Sequence, residues 1–368
     1  MTQRNCKNGK EGFTKYSMTE DKHILIKNIY HMLSYAFEVL RQSNYEEVAS
    51  EEFENIHDLF AAILSKGIAQ QLKQGLFREY TEKQENNVIL RGKLNIDGTI
   101  KNVVRHQRVV ACEYDEFSSN NIFNQILKTT ANILIRQPTV VEQRRFDLKK
   151  LLLFFSEIDL TEPYQIRWHQ LIFHRNNQTY RMLINICYFV LSDLLLSEEK
   201  GQHKLAKFLT EQSMHRLFER FVLEYYRFHH SRVNPTAPQI KWDIDDGVID
   251  FLPTMQTDIV LHQQGKRLVI DTKYYQKSLQ VHFDSTTLHS SNLYQIFTYV
   301  KNMDTFNDGS ISGMLLYAKT DEHITPDNIY SMSGNRIYVK TLDLNQPFPM
   351  IQSQLDRYLT EWEQDFLM

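Results

Sequence analysis

The chain has 368 residues, 42% of them hydrophobic and 24% charged, which gives the material and the balance for a soluble protein of two domains. Its net charge of −3 excludes a chain that holds nucleic acid by bulk positive charge, and points instead to local basic patches or to a partner that grips the nucleic acid. Cys6, Cys112 and Cys187 lie far apart and form no C-x-x-C, so the sequence offers neither a disulfide framework nor a zinc site and fits a reducing cytoplasm.

Residues 1–22 carry charges but no apolar run; they read as a poorly ordered tail and not as a signal peptide. A helix follows within 24–40, where Ile29, Met32, Leu33, Ala36 and Phe37 recur at helical spacing. A second helix is predicted over 57–74, with Leu59, Phe60, Ile63, Leu64, Ile68 and Leu72 inward and Gly75 as its stop. Between 76 and 112 the character changes. Segments 77–82, 87–94 and 108–112 are predicted strands, punctuated by Gly92-Lys93-Leu94 and Asp97-Gly98, and together make a small β-rich insert. Lys101, Arg105, His106 and Arg108 form a basic cluster there, most simply a solvated face and more sharply a contact for nucleic acid or an acidic partner.

Residues 115–136 are predicted helical, with Asn120 and Asn124 beside an apolar stripe and Pro138 ending the helix. Another helix is expected over 144–155, a loop over 160–168 and a helix over 180–196. The run 182–196 is the most apolar in the chain, but it is shorter than a membrane span and contains Asn185 and Asp193, so it reads as a buried helix and no membrane partner is expected. The next helix, over 213–229, places Met214, Leu217, Phe218, Phe221, Val222 and Tyr225 on one face with Glu219 at its edge.

Residues 257–275 carry the chemistry. Ile259-Val260-Leu261 and Leu268-Val269-Ile270 read as two strands joined by a turn at Gln263-Gln264-Gly265. Asp258 opens the first strand, and Asp271 and Lys273 close the second on one face. Two carboxylates and a lysine at one sheet edge suit a site where Mg²⁺ is held through oxygen and a phosphodiester is hydrolysed. An Asp-x-Lys after an apolar strand is also a common surface ion pair, so the motif needs its context. Downstream, Gln295 and Tyr299 are four apart and share a helix face. Strands over 313–317 and 336–342 and a closing helix over 352–366 complete the chain.

Thr257-Asp258 with Asp271-Thr272-Lys273 resembles the PD-(D/E)xK nuclease signature, with Thr in place of Pro, and Gln295 with Tyr299 resembles the Gln-x-x-x-Tyr motif of its RecB-like branch. More narrowly, residues 252–258, Asp271-Thr272-Lys273-Tyr274-Tyr275 and 289–295 resemble McrC, the nuclease subunit of modification-dependent restriction, as do residues 27–36, Arg91-Gly92-Lys93-Leu94 and 114–124 more weakly. The resemblance implies a Mg²⁺-dependent DNA endonuclease acting on DNA with 5-methylcytosine, in the cytoplasm. Asp258, Asp271 and Lys273 would be catalytic, and Glu219 would complete the metal shell, with Glu224 as a rival. Gln295 and Tyr299 would support the site. An ion pair to Arg216 or Arg220 is the plainer reading of Glu219. It also implies an AAA+ GTPase partner of the McrB type. No Gly-x-x-x-x-Gly-Lys-Ser/Thr is present, so the GTP belongs to that partner and not to this chain.

The expected architecture is therefore α+β or α/β and multidomain: a tail over 1–22, a partner-docking domain over 23–205 with the β-rich insert at about 76–112, and a nuclease domain over 206–368 with a mixed sheet flanked by helices. Two other functions stay open at this point, a non-catalytic adaptor of the motor and a stand-alone RecB-like repair nuclease.

Overall fold

The computed structural model describes residues 24–37, 45, 48, 50–174, 177, 179–199, 211–245, 250–274, 279–282, 285–319 and 325–365. The expected tail over 1–22 and Tyr275 lie outside them. The chain divides into two compact units, one made of Met32–Ala49 and Ile56–His230, the other of Met1–His31, Ser50–Asn55 and Ser231–Met368. Helix α1 (Ile26–Ala36) runs through the first division. Among the described residues no helix is long and apolar enough to cross a membrane.

The first unit is mainly helical. Helices α2 (Ile56–Gln74), α3 (Ile96–Val104), α4 (Ile122–Arg136), α5 (Glu142–Leu152), α6 (Tyr180–Glu199) and α7 (Glu211–His229) follow in order. α2, α4, α5 and α6 pack on one another through fully buried Leu59, Ile63, Leu64, Ile126, Leu127, Leu134, Leu148, Leu183 and Ile186. A polar hub joins them to the insert. Asn124 Nδ2 donates to Phe77 O at 2.9 Å and to Ser119 O at 2.7 Å, and its Oδ1 accepts from Tyr180 Oη at 2.8 Å. Asn124 is wholly buried and has a partner at both ends of its amide, so the plain packing reading of this asparagine accounts for it.

The insert departs from its sequence reading. Strands β1 (Glu79–Asn87) and β3 (Val110–Ser118) pair antiparallel along their whole length, and β2 (Lys93–Leu94) adds two residues on the far side of β3. The expected strand over 87–94 is not formed: 88–92 is an exposed connection. Asp97-Gly98, expected as a turn, lies in the first turn of α3, because Asn95 Oδ1 accepts from Gly98 N–H at 2.8 Å and caps that helix. Residues 115–118, expected as helix, extend β3 until Asn121 caps α4.

α7 groups with the helical unit, and the division in the chain falls after His230, not at about 205. The aromatic face of α7 explains the grouping. Tyr35 rests on Phe221 and Tyr225, with ring centres 5.5 and 5.6 Å apart, and its hydroxyl meets His229 Nε2 at 2.6 Å.

The second unit is built on a mixed sheet. Its strands are β6 (Ile259–Gln263), β7 (Lys266–Lys273), β10 (Ile311–Ala318), β11 (Asn328–Met332) and β12 (Asn335–Leu342), in the order β11-β12-β10-β7-β6. β7, β10 and β12 run parallel, while β6 and β11 are antiparallel edges. Two short pairs lie outside this sheet, β4 (Gln239–Ile240) with β5 (Met255–Gln256) and β8 (Leu279–His282) with β9 (Ser285–Leu288). Every residue of β10 is buried, as expected of a central strand covered on both faces. Helix α8 (Ser290–Met303) connects by way of the turn at 304–310 to β10 and packs on the sheet through Ile296 and Val300, against Val269, Leu315, Ile337 and Val339. Helix α9 (Phe348–Gln364) packs beside β12 with Trp362 fully buried. β8, β9 and β11 were not foreseen; β11 is a short edge whose exposed residues give no apolar run to read.

Candidate metal and catalytic centre

The site stands where the β6–β7 hairpin begins and ends. Its turn is a two-residue one, with Gln264 at φ 49° and Gly265 at φ 81°, the doubly left-handed form that suits the twist of a hairpin. That turn fixes the register. Ile259 faces Ile270, so Asp258, one residue before β6, comes level with Asp271. The apolar middle of both strands is inside the core, which leaves the polar residues at the open end of the hairpin.

Asp271 is 2% exposed and Lys273 7% exposed, and the lysine Nζ lies 2.8 Å from Asp271 Oδ2. The contact is an ion pair within hydrogen-bond distance, in which Oδ2 is buried and has no well-aligned donor. Burial pushes the Asp271 carboxyl up to about 7, the Lys273 ammonium holds it down, and the nearby Asp258 charge adds to the rise. The Asp258 carboxylate is only half-buried, and its Oδ2 accepts both the backbone N–H and the hydroxyl of Thr272, each at 2.7 Å.

α8 supplies the rest. Lys273 Nζ donates to Gln295 Oε1 at 3.0 Å, Gln295 Nε2 donates to Tyr299 Oη at 2.8 Å, and the Tyr299 hydroxyl donates to Gln256 O at 3.0 Å. One direction of donation thus runs from the ammonium to the backbone two residues before Asp258. The four-residue spacing makes this possible, because it places Gln295 and Tyr299 one helical turn apart. Burial raises the Tyr299 phenol, which keeps it a neutral donor in this chain. Thr257 also fastens the strand opening, donating through N–H and Oγ1 to Pro238 O at 3.2 and 2.7 Å.

Asp258, Asp271, Lys273, Gln295 and Tyr299 therefore meet in one place. Glu219 is half-buried on α7, in the other compact unit, while Glu224 is taken up by Arg220 at 2.7 Å and Arg227 at 2.9 Å. Among the described residues no group of three or more His, Cys, Asp or Glu stands together as a cation cage. The Thr272 hydroxyl was missed by the sequence reading, since the middle position of Asp-x-Lys gave no sign of a partner. The basic cluster of Lys101, Arg105, His106 and Arg108 is exposed on α3 and the turn after it, away in chain from these residues.

The sequence profile of the family described as McrBC 5-methylcytosine restriction system component matches residues 9–318, a span that holds every residue of the site. The chain belongs to that McrBC family. It is 27% identical over 351 residues to the type IV methyl-directed restriction enzyme EcoKMcrBC of Escherichia coli K12, covering 92% of this chain and 99% of that protein. Two solved structures from Thermococcus gammatolerans are also similar. One is a refined half-complex from a tetradecameric assembly of McrB AAA+ hexamers with bound McrC, 17% identical over 92% of this chain and 76% of that chain, with a TM-score of 0.49. The other is the McrBC complex by cryo-EM, 19% identical over 56% of this chain and 58% of that chain, with a TM-score of 0.39.

Proposed function

We propose that this McrBC-family chain is the endonuclease subunit of a modification-dependent restriction complex, hydrolysing phosphodiesters in DNA that carries 5-methylcytosine. The observation that carries the reading is the meeting of Asp258, Asp271 and Lys273 at the open end of one hairpin, braced from α8 by Gln295 and Tyr299. The mixed sheet with its helices is read as a PD-(D/E)xK nuclease core.

The residues fit a hard divalent cation. Asp271 Oδ2 is buried without an aligned donor, and one ammonium does not offset the burial of its carboxylate. A second carboxylate stands near it, and both are oxygen donors, the class that Mg²⁺ takes, usually from one or two carboxylates with water and substrate phosphate completing the shell. Bound there, Mg²⁺ would polarise the scissile phosphate and favour ionisation of a water. Asp258 and Asp271 would hold it. Lys273 would orient the attacking water and offset charge that develops on the phosphate. Gln295 and Tyr299 would keep the Lys273 ammonium in place.

Activation comes from an AAA+ GTPase partner of the McrB type, which supplies GTP hydrolysis and most of the hold on DNA. Family membership supports this, and so does the insert. Val88 and Ile89 are each 81% exposed, and Ile96, Ile100, Val103 and Val104, on the same helix α3 as part of the basic cluster, are exposed as well. So many exposed apolar side chains on one small module point to a docking role. The net charge of −3 agrees with a chain that relies on its partner for DNA affinity. The test is cleavage of methylated and unmethylated duplexes with Mg²⁺, by the chain alone and with its GTPase and GTP. Cutting of methylated DNA by the complex only is expected. Robust, modification-independent cutting by the chain alone would favour a stand-alone repair nuclease, and no cutting by the complex would favour an adaptor.

A further inference from the structure

We infer that the Thr272 hydroxyl is a positioning group that sets which oxygen of Asp258 faces the cation, an inference that rests on the metal reading given under Proposed function. Thr272 is wholly buried between the two charged residues of Asp-x-Lys. A buried hydroxyl needs a partner. Here it goes to a carboxylate that already receives the N–H of the same residue, and both bonds fall on the same atom, Asp258 Oδ2, at 2.7 Å each. Among the described residues no hydrogen bond falls on Oδ1.

The register explains how this comes about. β6 begins at Ile259, opposite Ile270, so beyond that pair the ladder has ended and the Thr272 N–H has no strand carbonyl to meet. The Asp258 side chain takes that place. One donor alone would leave the carboxylate free to rotate about its last torsion, a broad and roughly two-fold well, and so to exchange its oxygens. Two donors from one residue, in different directions, hold Oδ2 and present Oδ1. Asp258 then needs no reorganisation when a cation arrives, and the Asp271 oxygen without an aligned donor is its counterpart across the hairpin. Groups that orient metal ligands in this way contribute about 10- to 100-fold to metal affinity.

Two substitutions separate this role from that of a residue that only ends a strand. Thr272→Val keeps the shape, the β-branching and the backbone N–H, and deletes the hydroxyl; Thr272→Ser keeps the hydroxyl and deletes a methyl. The measurement is Mg²⁺ affinity of the full chain without DNA, read by calorimetric titration, together with the Mg²⁺ concentration that half-saturates cleavage by the complex. Thr272→Val is expected to weaken Mg²⁺ binding by about 10-fold and to raise the half-saturating concentration by the same factor, with cleavage recovering at excess Mg²⁺. Thr272→Ser is expected to stay near the parent affinity. Should Thr272→Val not fold, Thr272→Ala lacks the same hydroxyl and takes its place in the comparison. Parent-like affinity in a folded Val or Ala variant would overturn the inference and leave the metal reading standing. Absence of Mg²⁺ binding by the parent chain would overturn both.

Discussion

Lys273, the last residue of β7, donates from Nζ to Gln295 Oε1 on α8 at 3.0 Å, so the charged end of the hairpin and the helix behind it are one assembly. Side chains on a strand and a helix stay at such a distance only if the helix keeps a fixed depth on the sheet. That depth is set on the neighbouring strand, β10.

Gly313 on β10 is the control point. A Cβ at this position would meet Ile296 Cγ1 at 2.8 Å, Ile337 Cδ1 at 2.9 Å and Val300 Cγ2 at 2.9 Å. Ile296 and Val300 are the sheet-facing residues of α8, and Gln295 and Tyr299 are their neighbours in the helix. Gly313→Ala is therefore expected to push α8 outward, to destabilise the chain by about 1–3 kcal/mol through overpacking, and to lower cleavage more than DNA binding. Denaturant unfolding and cleavage rates of the variant check this; unchanged cleavage in a destabilised chain would separate the helix from the site.

Asp271 makes the chain sensitive to pH. Its carboxyl is raised from the ordinary value of 3.8 to about 7 in the folded state, chiefly by burial. The folded protein holds that proton more tightly than the unfolded chain. This group's share of stability is therefore full below pH 3.8 and is lost as pH rises towards about 7. Without divalent cation, thermal stability should decline across that window, and Asp271→Asn should lack that part of the decline. Because a proton competes with the cation, Mg²⁺ affinity should fall by roughly tenfold per pH unit below about 7. Melting curves with and without Mg²⁺ at about pH 6 and about pH 8 test both signs, the stabilisation by Mg²⁺ being larger at the higher pH.

How much of this was legible in the sequence depends on the kind of signal. The hairpin could be read because two apolar runs flank Gln264-Gly265, and the residues that end those runs are the ones the register brings level. Helical spacing puts Gln295 and Tyr299 on one face, and the resemblance to the Gln-x-x-x-Tyr motif adds their place at the site. Helix α3 could not, because Asp97-Gly98 has the composition of a turn and the cap that overrides it, Asn95, lies outside the pair. The place of α7 was illegible for a different reason: its apolar face would suit either unit, and only the three-dimensional meeting of Phe221 and Tyr225 with Tyr35 decides which one holds it. The part played by Thr272 depends on where the β6–β7 ladder stops, which no periodicity records.

The insert offers a prediction independent of the site. Val88 and Ile89 lie in the exposed connection between β1 and β2, so Val88→Ser and Ile89→Ser should change folding stability by no more than about 0.5 kcal/mol. If this surface docks on the GTPase, each should weaken association by more than about 1 kcal/mol and reduce stimulation of GTP turnover, since buried apolar anchors dominate interfaces. The check is a titration of GTP turnover against chain concentration; curves that overlay the parent would place the docking surface elsewhere.

The most direct measurement is Asp271→Ala in the assembled complex, with GTP, Mg²⁺ and methylated duplex, following DNA cleavage and GTP turnover in the same reaction. The variant should lose cleavage while it still stimulates its partner's GTP turnover, because it removes a buried carboxylate from the hairpin and leaves the insert intact. Cleavage at the parent rate by a folded Asp271→Ala chain would contradict the assignment of this hairpin as the nuclease centre.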